Sequence, residues 1–225
     1  MTTSTEYRYD VQAATRPRRG LAARIFAWRY ARYRQPAEYA ARRRELLAGL
    51  TGDVLEIGPG AGANLEHLPA AVSWIGLEPN VFMHDQLRSR AAERGIAVRI
   101  VAGTADAIPL PGESVDAVIG TLVLCSVDDQ DGVLAEILRV LRPGGRYLFL
   151  EHVAARPGTW VRRLQEALTP VSRRCQGGCR PNRETWRAIE RAGFAETDLR
   201  RFTLPLPLGL YSPYVSGHAI KGAAR

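Results

Sequence analysis

The chain runs to 225 residues, 46% of them hydrophobic and 24% charged, which suits one soluble domain built on a single sheet with a helical layer on each side. No run of about 18 apolar residues occurs and the opening MTTSTEYRYD has no apolar core of signal-peptide type, so neither a spanning anchor nor export is expected, and the expected location is cytoplasmic. The formal net charge of +8 is concentrated: residues 1–50 hold 11 Arg against 4 acids, a surplus of +7, and the remainder is near neutral.

Residues 1–50 therefore read as a basic helical extension and 51–225 as the main domain. Within the extension, residues 17–34 place Leu21, Ile25, Trp28 and Tyr33 near one helical face and arginines over much of the rest. The preferred reading is a lid helix whose aromatic stripe packs over a ligand pocket, with Trp28 in the pocket wall. Two others stay open. One is a helix lying on a membrane surface, because interfacial helices combine aromatic and cationic residues. The other is nucleic-acid binding, for which one short segment beside a neutral body is a weak footprint, so no nucleic-acid partner is expected.

Beyond residue 50, apolar runs predict strands at 54–57, 72–77, 98–101, 115–121, 146–153, 195–203 and 214–221. Helical periodicity covers 63–68, 80–94, 130–141 and, late in the chain, 184–192, and the run Arg142-Pro143-Gly144-Gly145 makes a turn that re-enters a strand. Strand and helix alternating in this way predict a doubly wound, mostly parallel α/β sheet of seven strands. No helix separates the last two strands, only residues 204–213 with three prolines, so they are expected to pair as an antiparallel edge hairpin.

The first strand runs into Gly58-Pro59-Gly60-Ala61-Gly62, and the second ends at Glu78. Glycines let backbone approach a ligand where any Cβ would collide, and an acid closing the next parallel strand can take both hydroxyls of a ribose. The dinucleotide fingerprint requires a different glycine spacing, opening a helix that holds pyrophosphate. Glu56, two residues before the first glycine, would repel phosphate but suit an ammonium. The pattern points to S-adenosylmethionine.

Four segments extend that match: 55–62, 76–80 (Gly-Leu-Glu-Pro-Asn), 103–106 (Gly-Thr-Ala-Asp) and 140–145 (Val-Leu-Arg-Pro-Gly-Gly). On them the sequence resembles the class I S-adenosylmethionine-dependent methyltransferases, with their Rossmann-like fold. The resemblance implies a cofactor site made by Glu56 near the methionine ammonium, Gly58, Gly60 and Gly62 against the ligand, and Asn64 toward the carboxylate. It further implies Glu78 with Pro79 and Asn80 at the ribose, Thr104, Ala105 and Asp106 at the adenine, and Thr121 at the methionine portion. Each polar residue has a rival role in ordinary capping or turn chemistry. With every cofactor segment intact, an enzyme is expected in preference to a non-catalytic binding module.

Segments 121–127, 149–155, 178–179, 183–186 and 217–221 narrow the likeness to the methyltransferase-like thiol S-methyltransferases and to bacterial enzymes that cap thiols of disulfide-containing natural products. This implies a small-molecule thiol acceptor, close relatives being enzymes that methylate oxygen, nitrogen or carbon. Two departures stand out: membrane-bound members carry an apolar N-terminal anchor that is not seen here, and the usual acid after strand two is Asp where this chain has Glu78. The cap after strand five offers Trp160, Arg183 and Trp186 as candidate substrate-wall residues, although Trp186 also fits the core face of its helix.

A thiol acceptor, with a pKa of about 8.5, supplies some thiolate unaided, so a general base is useful but not obligatory. His152, ending strand five at the ligand-binding edge, is the candidate, its rival role being a backbone hydrogen bond at the strand end. His67 reads as surface, and His84 and His218 as structural. The odd count of three cysteines, Cys125, Cys175 and Cys179, fits a reducing compartment. Cys125 reads as inert core. Cys175 and Cys179 have a spacing that is not a zinc pair and have no partner pair nearby, so no metal is expected, and their loop is assigned either to the pocket lining or to an adventitious disulfide.

Overall fold

The computed structural model describes residues 17–32, 37–206 and 210–223. Tyr33, assigned above to the lid stripe, lies outside them. Two helices, α1 (Leu21–Arg32) and α2 (Ala37–Leu47), lead into strands β1 (Gly52–Ile57), β2 (Val72–Leu77), β3 (Val98–Val101), β4 (Val115–Thr121), β5 (Leu141–His152), β6 (Glu196–Leu206) and β7 (Leu210–Ile220). Helix α3 (His84–Glu93) follows β2, α4 (Gln130–Val140) follows β4, and α5 (Trp160–Cys175) and α6 (Thr185–Arg191) lie between β5 and β6.

The seven strands form one sheet in the order β3-β2-β1-β4-β5-β7-β6. Strands β1 to β5 pair in parallel, and β7 runs antiparallel between β5 and β6. A parallel sheet with both faces covered needs near-continuous apolar strands, and the residues divide accordingly. Leu55, Ile75, Val118, Tyr147 and Phe149 enter one core cluster, while Val54, Trp74, Ala117, Ile119 and Leu148 enter the other. Tyr147, Phe149 and Trp74 are completely buried. No described helix is long and apolar enough to cross a membrane.

Several boundaries differ from the sequence expectation. The helix expected at 63–68 is only a 3-10 turn, Leu65–His67, and that at 80–94 begins as a second such turn, Val81–Met83, before α3. Strand β5 starts at Leu141, earlier than 146, because Val115 pairs with Leu141 and Ala117 with Arg146 while Arg142 to Gly145 bulge out between them. The hairpin also runs further into the proline-rich stretch than expected. Pro205 sits on the edge strand, and Pro213, which has no N–H to offer, serves the β5 side through its carbonyl, accepting from Val153 N at 3.0 Å. Helix α5 was not anticipated: Thr159 caps it by accepting from the Arg162 amide, and it carries Pro170 internally.

Candidate active site

The strand order reverses beside β1, between β2 and β4, and ligands of open α/β sheets bind at such a switch, outside the carboxyl ends of the strands. A cavity of about 680 Å³ lies there, within the size range of small-molecule sites. Its floor is the turn after β1. Gly58 and Gly60 both have φ of +58°, and a Cβ on Gly58 would come within 2.8 Å of the Val123 side chain. Gly62, at φ +83°, stands behind the wall, where a Cβ would strike Leu65 and Leu87.

Glu78 closes β2 at the cavity and is 5% exposed. Its two carboxylate oxygens accept from the backbone N–H of Gly60 and of Asn80, both at 2.8 Å, while burial holds the carboxyl above its usual range. The acid thus links the glycine turn to the next segment and still has lone pairs on the cavity side. His84, expected to be structural, is buried with Nε2 2.9 Å from the Glu78 carbonyl oxygen. Pro79, Thr104, Ala105, Asp106 and Thr121 line the cavity, whereas Asn80 turns away, accepting from Phe82 N and donating to the Ala23 carbonyl of α1.

Glu56 and Asn64 do not reach the cavity surface. Glu56 is fully buried and accepts from Asn64 Nδ2 at 2.8 Å and from Trp74 Nε1 at 3.0 Å. Asn64 also donates to Thr121 Oγ1 and accepts from the buried Arg43. Burial lifts the Glu56 carboxyl to about 7. These two residues therefore brace Thr121 from behind; Glu56 is expected to act on a methionine ammonium only through water or backbone, while the Asn64 side chain, expected toward the carboxylate, is engaged by Glu56, Thr121 and Arg43.

The N-terminal helix does wall the cavity, but with the opposite face from the one expected. Phe26, Arg29 and Tyr30 line it, whereas Leu21, Ile25 and Trp28 are 73%, 49% and 58% exposed. Apolar residues occur on both sides of α1, so the stripe at 21, 25 and 28 did not identify the inward face. The Arg32 guanidinium stacks over Trp28, 4.2 Å from the ring centroid. The helix is tied down through Arg18, whose amide donates to the Pro79 carbonyl and whose guanidinium donates to the Gly177 carbonyl.

The other sequence candidates for a substrate wall lie elsewhere. Trp160 is 57% exposed on α5, Trp186 is packed in the core, and Arg183 donates to the carbonyls of Leu124, Val127 and Asp128, clamping the loop after β4. The far end of the cavity is made instead by His152, Tyr39, Tyr214, Cys125, Cys179 and the 122–127 loop. His152 is largely buried, with Nε2 2.5 Å from Ser212 Oγ and its ring stacked on Tyr214, and burial lowers its pKa to about 4, leaving a neutral imidazole. The hydroxyls of Tyr39 and Tyr214 lie 2.5 Å apart.

Sequence reading missed Glu151. It is completely buried, and one carboxylate oxygen accepts from Val123 N and Leu124 N, both at 2.9 Å, while the other accepts from Cys125 N at 3.2 Å. It thereby holds the tight turn in which Leu122 adopts φ of +61°. An acid at the carboxyl end of an otherwise apolar strand was the available signal, the same one that marked Glu78. Cys125, expected to be inert core, is buried but lines the cavity.

The cavity fits S-adenosylmethionine. Its floor is backbone that no Cβ obstructs, Glu78 presents an acceptor pair beside that floor, and Thr104 Oγ1, buried in the wall, has no hydrogen-bond partner among the described residues. A family model described as a methyltransferase domain matches residues 55–149, the stretch from β1 to β5 that supplies the glycine turn, Glu78 and Thr121. The chain belongs to the S-adenosylmethionine-dependent methyltransferases, in the family of the thiol S-methyltransferases.

Human thiol S-methyltransferase TMT1A is 37% identical over 195 residues, spanning 82% of this chain and 80% of that protein. Human TMT1B is 38% identical over 192 residues, 80% of this chain and 79% of its own. The fold matches phosphoethanolamine N-methyltransferase 2 of Haemonchus contortus, crystallised with S-adenosyl-L-methionine, at a TM-score of 0.66 and 14% identity over 90% of this chain and 57% of that one.

Proposed function

We propose that the protein transfers the methyl group of S-adenosylmethionine to the sulfur of a small-molecule thiol, in natural-product biosynthesis or thiol detoxification. The observation that carries this is the identity of 37% and 38% to human thiol S-methyltransferases over about four-fifths of the chain. The three free thiols, Cys125, Cys175 and Cys179, support a cytoplasmic, reducing setting.

S-adenosylmethionine supplies, when bound, a methyl group made electrophilic by its sulfonium. Gly58 and Gly60 admit the ligand against backbone, Glu78 takes the ribose hydroxyls, Thr104 and Asp106 meet the adenine, and Thr121, braced by Asn64 and Glu56, positions the methionine portion. Phe26 and Tyr30 exclude water from above. At the acceptor end the chain has to hold sulfur in line at near-attack distance, which lowers the barrier by orientation. His152, neutral through burial, accepts a hydrogen bond from the thiol. A thiolate forms readily enough that this assistance is modest.

Incubating the full chain with labelled cofactor and a panel of small thiols, phenols, amines and phospholipids tests the reading. Label is expected on thiols. Label on phenols, amines or lipids with thiols inert would replace the proposed acceptor with oxygen, nitrogen or a lipid group.

A further inference from the structure

Two thiols face each other at the acceptor end of the cavity. Cys125 Sγ and Cys179 Sγ lie 3.8 Å apart, and Cys179 Sγ lies 3.9 Å from His152 Nδ1. All three residues line the cavity. Backbone enforces the pairing. The Arg180 amide donates to the Cys125 carbonyl at 2.8 Å, and Gly178, at φ +101°, lets its loop approach so closely that a Cβ there would sit 2.7 Å from the Ser126 carbonyl oxygen. Arg180 and Arg183 both donate to the Val127 carbonyl, fastening the same two loops again. From the other side Glu151 holds the Cys125 amide.

A disulfide requires sulfurs about 2.05 Å apart, and these two stand at 3.8 Å, in direct contact and not yet bonded. The two thiols differ in character. Their mutual hydrogen bond holds Cys179 below the usual thiol range, with the Arg183 charge assisting, and pushes Cys125 up, where burial adds to the rise. Cys179 is the partly exposed member and Cys125 the buried one. That is the division of labour of an attacking and a resolving cysteine.

We propose that Cys179 and Cys125 form a dithiol that reduces disulfides entering the acceptor end of the pocket, so that the enzyme takes its thiol substrate in oxidised as well as reduced form. The Cys179 thiolate attacks one sulfur of the disulfide R–S–S–R. The substrate S–S bond breaks, the first R–S⁻ leaves and takes up the proton that Cys179 lost, and a mixed disulfide remains on Cys179. Cys125, losing its proton to the second leaving thiolate, then attacks the Cys179 sulfur and displaces the second R–SH. Two electrons pass from the cysteine pair to the substrate, giving two thiols and one Cys125–Cys179 disulfide. A low-molecular-weight thiol, the reductant, restores the pair by exchange. The substrate thiol is thus generated inside the cavity where it is to be methylated.

This inference rests on the thiol-acceptor reading, and its test uses no methyl donor, so the two fail separately. The full chain carrying Cys175→Ser, to remove the exposed thiol, is reduced, desalted and mixed with bis(2-hydroxyethyl) disulfide. Expected are two equivalents of 2-mercaptoethanol per chain, a protein lighter by two hydrogens, and a peptide map linking Cys125 to Cys179. Adding Cys125→Ser should arrest the reaction at a mixed disulfide on Cys179 with one equivalent released. Adding Cys179→Ser should slow Cys125 modification at least tenfold. Saturable binding of S-adenosylhomocysteine confirms that each variant is folded, and Cys125→Ala replaces the serine variant if it is not. Absence of the Cys125–Cys179 link, or equal reaction rates at Cys125 with and without Cys179, would overturn the proposal. Inertness of thiols in the methyl-transfer panel, with the link formed here, would instead sink the acceptor reading and the coupling to methylation, while the disulfide reduction itself would stand.

Discussion

Glu78 is the residue on which the cofactor wall turns, because its carboxylate has two duties at once. It lines the cavity, where it is proposed to take the ribose, and it accepts from the amides of Gly60 and Asn80. Glu78→Ala is therefore expected to lower cofactor affinity by roughly 2 to 4 kcal/mol through loss of charge-assisted hydrogen bonds. It also strands two backbone donors, so folding stability should fall by about 1 to 3 kcal/mol, more than a substitution on an open rim would cost. Titration calorimetry and a thermal melt read the two losses independently. Unchanged affinity would remove Glu78 from the site, and an unchanged melt would show that water satisfies the two amides. Glu56 shows the complementary lesson: an acid beside the glycine motif sits behind the site and acts through Asn64 and Thr121.

Among the elements, α1 makes the clearest prediction, since its two faces have separate surroundings. Phe26→Ala and Tyr30→Ala are expected to raise KM for cofactor or thiol several-fold, because each removes a ring from the cavity wall. Replacing Leu21, Ile25 and Trp28 together by serine should leave turnover of a soluble thiol unchanged. Were that triple variant inactive in the absence of lipid, the outward face would be part of the machinery. Binding of the parent chain, but not the variant, to anionic vesicles would assign that face to a membrane contact, released by salt within a Debye length of about 8 Å. The strands were legible because burial on both sides leaves continuous apolar runs at 54–57, 72–77 and 115–121. Helix α5 was not, because arginines, Pro170 and an apolar stripe at Trp160, Leu164, Leu168 and Val171 that stays largely in solvent break the usual link between pattern and core. For the same reason the glycine turn and Glu78 stood out in the sequence, while the far end of the cavity brings together α2, the 122–127 loop, β5, the loop after α5 and β7, which lie far apart in the chain.

At the level of the whole molecule, buried ionisable groups tie stability to pH in opposing directions. The Glu56 carboxyl rises from the usual 4.5 to about 7, so the native state holds a proton that the unfolded chain releases. Its contribution is complete below 4.5 and is lost as pH climbs through about 7, a swing of about 3 kcal/mol. His152 falls from 6.5 to about 4, so its contribution is present above 6.5 and is lost as pH drops through about 4. Urea denaturation across this window should show Glu56→Gln losing less stability with rising pH than the parent chain, since the raised carboxyls of Glu78 and Glu151 remain in both. A profile unchanged by that substitution would show that Glu56 stays ionised throughout. The sheet order carries a further consequence, for the timing of folding. Strand β7 is last in the chain yet wedges between β5 and β6, and its Tyr214 meets Tyr39 at a sequence separation of 175. Contacts so distant in sequence close late, so during synthesis the ribosome must finish nearly the whole polypeptide before His152 acquires its Ser212 partner. A nascent chain with its glycine turn already formed still lacks the Tyr214 wall of the cavity, which is complete only once the last strand docks.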